Sequence, residues 1–249
     1  MSLRSSSSSG NGPLGRAARI AVGGVGLAAM GYAAWAAASW YRYGQAARTD
    51  GEAADPLLDR FMPDFEVVER HQIAVAAPAE VTLSAAKEQH LTESPPIRAI
   101  FKARAFVMGA SEVESLPPGL LSQVLALGWG VLADTAGEIV LGAVTRPWEA
   151  NVVFTALRSE EFAAFNEPGY VKIVWSLRAD PLAADRSTFR TETRARATDP
   201  LARAKFRRYW ALASPGIALI RLFSLQPLKA DAQRRWRQAT HAGEPMMVG

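Results

Sequence analysis

The chain has 249 residues, of which 49% are hydrophobic and 21% are charged, and its formal net charge is +4. This composition excludes a wholly disordered chain and provides enough apolar side chains for the core of one ordinary domain. Cysteine is absent from the sequence, which excludes disulfide bonds, thiolate nucleophiles and cysteine-ligated metal sites.

The N-terminal region predicts a membrane anchor. Residues 1–19 are rich in Ser and Gly and are expected to form a disordered basic tail. The run from Ile20 to Tyr41 carries no charge. As a helix it would span about 33 Å, close to the thickness of about 30 Å of a bilayer's hydrocarbon core. Aromatic residues at its C-terminal end, Trp35, Trp40 and Tyr41, are typical of a membrane interface, so the expected partner of this segment is a membrane.

A cleaved signal peptide is the alternative interpretation of this segment. Ala36-x-Ala38 fits the small-residue cleavage pattern, and cleavage would make the protein secreted. If the segment is retained, the arginines before it favour a single-pass protein whose domain lies on the outer side of the cytoplasmic membrane. A G-x-G-x-x-A sequence begins at Gly24, but the stretch that follows, Gly44 to Asp59, is polar and holds no second strand, so we expect no nucleotide cofactor.

Charge is distributed unevenly along the rest of the chain. Acidic residues outnumber basic ones from residue 51 to 95, whereas basic residues predominate from 199 to 240 and include Arg234, Arg235 and Arg237. A basic surface of this kind is able to meet anionic lipid. The simpler interpretation is a solvated helix face, and we expect no nucleic-acid partner.

The pattern of apolar residues and breaks predicts one domain at residues 57–237, between a polar linker at 42–56 and a flexible tail at 238–249. The predicted elements before residue 166 are a strand at 65–77, helices at 79–90 and 97–108, strands at 127–133 and 138–145, a short strand at 151–156, and a helix at 159–165 that Ser159 would cap.

Two further segments alternate clearly and predict neighbouring antiparallel strands. Residues 170–179 place Val171, Ile173, Trp175 and Leu177 on one face, and residues 187–197 place Phe189, Thr191, Thr193 and Ala195 on one face. The opposite face of the second strand carries Arg190, Glu192, Arg194 and Arg196. This alternation indicates a sheet with one covered face and one face in water.

The C-terminal region predicts a long helix that begins at Pro200, with Thr198 or Asp199 as its cap. Ser214-Pro215-Gly216 is expected to kink or break this helix. A second helical piece would then run from 217 towards 235, with a further kink near Pro227.

The order of these elements resembles the START-like helix-grip fold of the SRPBCC superfamily, which includes polyketide cyclases and lipid-transfer proteins. The segments that carry the resemblance are residues 67–80, 139–142, 191–194 and 206–210. The resemblance implies an α+β fold in which an antiparallel sheet wraps around the long C-terminal helix and leaves an apolar cavity between them.

If the resemblance holds, the cavity wall is expected to include residues from the last two strands and the C-terminal helix. The candidates are Trp175, Phe189, Thr191, Thr193, Phe206, Tyr209 and Trp210, with Trp129, Trp148 and Phe162 as less secure members. Aromatic residues on an inward face are more often plain core than ligand contacts, so a packed core remains the alternative.

The sequence contains no recognisable catalytic or metal-binding motif. His71, His90 and His241 do not have the spacing of metal ligands. His71 and Glu69 point to the same face of a strand, for which a surface ion pair is the favoured interpretation.

Three hypotheses follow. The leading one is a membrane-tethered domain without catalytic activity that binds an apolar or lipid-like molecule. The second is an enzyme of the cyclase or aromatase kind, whose cavity would contain convergent polar groups such as His71, Thr191, Thr193 or Tyr209. The third is a protein without a ligand that docks to a membrane or an acidic partner.

Overall fold

The structure is a computed structural model that describes residues 13–51, 54–90, 94–109 and 116–243; for residues 13–25, 28, 101, 104, 105, 242 and 243 it describes only the backbone. The helices of the described residues are α1 (Pro13–Arg42), α2 (Pro56–Asp59), α3 (Ala79–Glu88), α4 (Pro95–Met108), α5 (Leu120–Ala126), α6 (Ser159–Ala164) and α7 (Pro200–Gly243). The strands are β1 (Val67–Val75), β2 (Gly130–Asp134), β3 (Glu138–Thr145), β4 (Phe154–Thr155), β5 (Val171–Ala183) and β6 (Arg186–Ala197).

The strands form one antiparallel sheet in the order β1-β6-β5-β3-β2, and β4 pairs with β3. The long helix α7 contacts β1, β5 and β6 on one face of this sheet. The α+β helix-grip architecture expected from the sequence is therefore confirmed.

We define the inner face of the sheet as the face that contacts α7. This face follows the predicted alternation of β5 and β6. Its largest apolar cluster joins the sheet to α3 and to the C-terminal half of α7. The sheet contributes Ile139, Leu141, Trp175, Leu177 and Phe189, and α7 contributes Leu225, Leu228 and Ala232.

The outer face, on the opposite side of the sheet, is covered over part of its area, and the prediction that it lies in water is wrong for that part. A second apolar cluster, which contains Leu58, Phe61, Met62 and Phe162, packs against Val140, Val144 and Val174 of this face. The charged residues beside it are buried as well, since Arg194 is 2% exposed and Glu192 is 6% exposed. Arg194 donates to Glu192 at 2.7 Å and also bonds Asp59, so the buried charges are paired.

The segment that covers part of the outer face spans the predicted boundary between the linker and the domain, since Ala54 and Asp55 of the predicted linker bond Arg178 and Ser176 of the sheet. Asp55 is 4% exposed and its carboxylate accepts a hydrogen bond from the backbone N–H of Leu58, which starts α2. Tyr43 is also buried, and its hydroxyl donates to Glu66 at 2.6 Å. A short run of apolar residues, Leu57, Leu58, Phe61 and Met62, therefore ties this segment to the sheet.

Several helix boundaries differ from the predictions. Helix α1 begins at Pro13, inside the tail predicted to be disordered, and residues 1–12 lie outside the described part of the chain. Helix α5 was not predicted, and α6 has Arg158 rather than Ser159 at its N-cap, because the Ser159 hydroxyl instead donates to the Leu132 carbonyl.

Helix α7 is continuous from Pro200 to Gly243, so the chain does not break at Pro215, and residues 238–243 of the predicted tail belong to the helix. The last six residues of that predicted tail lie outside the described part. Asp199 begins the helix as expected, since its Oδ1 accepts from the backbone N–H groups of Leu201 and Ala202 at 2.8 and 3.0 Å.

Helices α1 and α7 pack against each other in antiparallel directions. The Tyr32 hydroxyl donates to the Leu212 carbonyl, and Trp35 Nε1 donates to Ser214 Oγ at 3.3 Å. The hydroxyls of Ser39 and Ser214 are 2.8 Å apart. A proline inside a helix removes one backbone hydrogen bond, so these contacts support α7 beside Pro215 where it is weakest.

Among the described residues, one helix is long and apolar enough to cross a membrane, and it is the segment Pro200–His241 of α7. Both ends of this segment contact the same domain, since Phe206 packs against Val67 and Ala195 while Leu228 packs in the inner-face cluster. A helix held to one sheet at both ends lies along the domain. The predicted span from Ile20 to Tyr41 lies within α1, and about a third of its side chains lie outside the described part.

Candidate functional site

A polar cluster lies on the inner face of the sheet, at the place where the resemblance implies a cavity. Glu69 and His71 of β1 stand opposite Thr193 and Thr191 of β6. The four side chains share the face that carries Val67, Ile73 and Val75, so their direction follows from the alternation of the strand. Glu69 Oε2 and His71 Nε2 are 3.5 Å apart, with side chains 21% and 15% exposed. The pair therefore lies towards α7, and its interpretation as a surface ion pair is wrong.

Arg221 of α7 reaches into this cluster from the opposite side. Its guanidinium donates to Thr193 Oγ1 at 3.0 Å and lies over the ring of Trp175, 3.9 Å from the centroid. Trp175 Nε1 in turn donates to Thr191 Oγ1 at 2.7 Å, and that hydroxyl donates to the Ser176 carbonyl. Trp175 is thus fixed as a platform for the cation.

The free volume beside these groups is very small. The space between α7, α3 and the sheet measures about 10 Å³, and its lining includes Trp175, Phe189, Thr191, Arg221 and Leu228. One water molecule needs roughly this much space, whereas ligand pockets measure about 300–1,000 Å³. The arrangement described by the structure is therefore filled by side chains, and a ligand enters only if α7 or Arg221 moves.

The seven predicted wall residues fall into two groups. Trp175, Phe189, Thr191 and Thr193 surround Arg221 as described above. Phe206, Tyr209 and Trp210 pack near the start of α7 against Tyr43, with ring centroids of Phe206 and Tyr43 5.8 Å apart. The second group joins α7 to the segment after α1.

The three less secure candidates also separate. Trp129 lies beside Trp175, with centroids 6.3 Å apart, and Trp148 packs near the start of α7. Phe162 is fully buried in the outer-face cluster, which excludes it from the inner-face site. Its place in the short helix α6, rather than its apolar character, decides which face it contacts.

Sequence reasoning missed Arg221 as a site residue, although a signal is present. From Tyr209 to Leu228, Arg221 is the single charged residue in an otherwise apolar stretch. An isolated charge in such a stretch is costly unless it has a partner or a function. The signal for Glu69 and His71 is their spacing from Val67 and Ile73, which places all four on one face.

A larger, open groove of about 280 Å³ lies on the outer face. Its three arginines are already paired: Arg70 bonds Glu192 at 2.8 Å, and Arg178 and Arg190 bond Asp180 at 2.6 and 2.7 Å. Each of these three arginines is therefore already hydrogen-bonded to a carboxylate of the protein.

Beside this groove, two carboxyl groups lie close together beneath the sheet. Asp55 accepts from Ser176 Oγ at 2.9 Å, and Glu138, 8% exposed, stands near it. Burial, together with the nearby Asp55 carboxyl, raises the pKa of Glu138 to about 9. Glu138 therefore keeps its proton at neutral pH.

An apolar surface extends along α7 and α1. Leu212, Leu219 and Phe223, which are 62%, 43% and 41% exposed, recur at spacings of seven and four residues and so form one line on α7; we call them the α7 apolar line. Leu27 and Met30 of α1 are exposed to more than 60%. Helix α4 also contacts α7 and exposes Phe106 and Val107.

The basic residues near the end of α7 have local partners. Arg235 bonds both Glu88 and Asp231, at 2.6 and 2.9 Å, and Arg234 also bonds Asp231. This pairing fits the solvated helix face favoured by the sequence and weakens a purely electrostatic docking surface.

Comparison with known proteins identifies similar folds but no family. No family model and no curated protein matches the chain. Similar solved structures include a hypothetical protein from Helicobacter pylori, with 8% identity over 75% of this chain and 99% of that chain and a TM-score of 0.35. A START superfamily protein from Mycobacterium smegmatis has 13% identity over 69% and 98%, with a TM-score of 0.25. The Zhui aromatase/cyclase from Streptomyces sp. R1128 has 14% identity over 68% and 94%, with a TM-score of 0.22. Because these TM-scores are below 0.5, the functional argument below rests on this chain's own residues.

Proposed function

We propose that this protein is a membrane-associated domain that binds an apolar or lipid-like molecule between its sheet and α7. The observation that carries the proposal is the exposed apolar surface on α1, α4 and α7, which lies next to the inner-face site. Leu222 and Phe223, both exposed, directly follow Arg221 in α7. The same segment of α7 would thus contact the membrane on one side and the bound molecule on the other.

The packing of α1 on α7 supports a bilayer as the occupant of this surface. Polar groups of Tyr32, Trp35 and Ser39 turn towards α7, while Leu27 and Met30 are exposed. Helices in membranes show this arrangement, with hydrogen bonds between helices and apolar side chains towards lipid.

The end of α1 has the chemistry of a membrane interface. Trp40 and Tyr41 are exposed there, and Arg207 of α7 lies 4.2 Å from the Trp40 ring centroid while donating to the Trp40 carbonyl. Aromatic and basic residues together favour the lipid headgroup region. In this proposal α1 is retained as the anchor, and the arginines before Ile20 keep the domain on the outer side.

Flotation of the full chain with vesicles of phosphatidylcholine and phosphatidylglycerol tests the membrane part. We expect the chain and the double variant Leu219→Asp/Phe223→Asp both to float, because both retain α1. In the floated fraction, backbone amides around the α7 apolar line should exchange hydrogen at least about tenfold faster in the double variant than in the wild type, because each apolar side chain contributes about 1.5–3 kcal/mol when buried. Leu182→Asp, at an exposed apolar residue of the β5 end, is the control. Equal exchange in the double variant and this control would contradict the role of the α7 apolar line.

Lipid extraction and mass spectrometry of the purified full chain test the ligand part. We expect one apolar molecule to be enriched over the bulk lipid at near-stoichiometric amount. A chain that carries only bulk lipid, and whose stability does not respond to added amphiphiles, would favour a docking protein without a ligand.

A cyclase-like enzyme is a second candidate, favoured by the convergence of His71, Thr191, Thr193 and Arg221 on one face. An enzyme would convert the bound molecule, so extraction would recover two species related by loss of water or ring closure. Recovery of a single species would favour a binding protein without catalytic activity.

A further inference from the structure

The side chain of Arg221 offers more hydrogen-bond donors than the neighbouring protein groups accept from. A guanidinium has five N–H donors. Among the described residues, the Thr193 hydroxyl accepts a hydrogen bond from the Arg221 side chain, and no carboxylate lies within ion-pair distance of it. Glu69 acts on Arg221 only at longer range and is closest to His71.

Trp175 explains how a poorly paired cation is held at this place. The ring lies 3.9 Å from the guanidinium carbon and is itself fixed by its bond to Thr191. A cation over an aromatic ring keeps its N–H edges free for other acceptors. Arg221 is therefore oriented in advance for a planar anion.

The position of Arg221 in α7 makes it accessible to molecules from the membrane. Its side chain is half-buried, and Leu219, Leu222 and Phe223 next to it are exposed. An amphiphile lying on this apolar surface needs to move only its head group past α7 to reach the guanidinium.

We propose that Arg221 is the head-group receptor of the site and that the ligand is a single-chain amphiphile with a carboxylate head. A carboxylate matches the guanidinium fork with two parallel hydrogen bonds. The small free volume favours this compact planar group, and the negative charge of Glu69 disfavours an anion with two charges. This inference rests on the proposed function, because it names the ligand class of the same site.

The test measures equilibrium binding of radiolabelled oleate and oleyl alcohol to the full chain in a nonionic detergent. The two probes share one chain and differ in the head group. We expect the wild type to bind oleate at least about tenfold more tightly, since a bidentate charged hydrogen bond is lost with the alcohol. Arg221→Gln should weaken oleate binding by about tenfold and leave oleyl alcohol unchanged, and Arg221→Lys should lie between.

Arg234→Gln is the matched control, because Arg234 lies on the same helix, is exposed and is paired with Asp231. This variant should keep the preference of the wild type. Equal binding of both probes by the wild type, or an unchanged preference in Arg221→Gln, would overturn the inference while the proposed function stands. A wild type that binds neither probe would also overturn this inference, and the proposed function would fail with it only if lipid extraction of the same protein recovers bulk lipid alone.

Discussion

Replacing Glu138 by glutamine is expected to change how the stability of the fold depends on pH. Glu138 is buried near Asp55, and its pKa of about 9 lies far above the ordinary value of 4.5. The folded chain therefore binds one more proton than the unfolded chain between these two pH values. The stability due to this proton is complete below the ordinary carboxyl pKa and is lost as the pH rises towards 9.

The magnitude follows from the proton difference. One full proton changes the free energy of unfolding by about 1.4 kcal/mol per pH unit. Screening by solvent reduces this value, and the nearby Arg178 favours the ionised form, so we expect a loss of roughly 1 kcal/mol between about pH 6 and pH 8. A glutamine side chain at this position keeps the size and the donor of the protonated acid, so the Glu138→Gln variant should lack this component.

Urea denaturation of the full chain, followed by tryptophan fluorescence across this pH range, measures the difference. The exposed Glu160 provides the control Glu160→Gln, which should keep the pH dependence of the wild type. Identical pH dependence in the wild type and Glu138→Gln would refute the argument, because Glu138 would then be ionised in the folded state.

The packing of the outer face gives further predictions. Gly142→Ala should destabilise the fold by about 1–3 kcal/mol, because its Cβ would lie 2.4 Å from Leu132 Cδ1 and 3.3 Å from Phe162 Cε2. Adding Leu132→Ala should recover part of this loss, so additive effects in the double variant would exclude the clash as the cause. Phe162→Ala, at a fully buried ring, should cost about 3–5 kcal/mol in the same urea titration.

Much of the fold was predictable because strands β1, β3, β5 and β6 carry their own alternation. The period of two places Trp175, Thr191 and Thr193 on one face independently of the rest of the chain. The start of α7 is also local, because Asp199 bonds the backbone just after Pro200. The same alternation already placed Glu69 and His71 on the inner face. Their environment was misjudged because the sequence does not show what covers an edge strand.

The tertiary structure alone decided which faces are covered and which cavity remains. The sequence predicts a water-exposed outer face because Glu192 and Arg194 are charged. In the structure, residues 54–62 cover them through contacts between residues more than 100 positions apart in the sequence. Pro215 predicts a break, but α1 and α4 pack beside it and α7 continues.

Sequence by itself determined the order of the elements, the α+β class and the inward direction of the site residues, because these depend on periods of two and 3.6 residues along a local stretch. Only the tertiary structure showed that Arg221 lies over Trp175 and that side chains leave a free volume of about 10 Å³ between helix and sheet. It also showed that Phe206 packs away from that space. The physical reason is that packing depends on which distant side chains meet, and side-chain volume and pairing are properties of the assembled core.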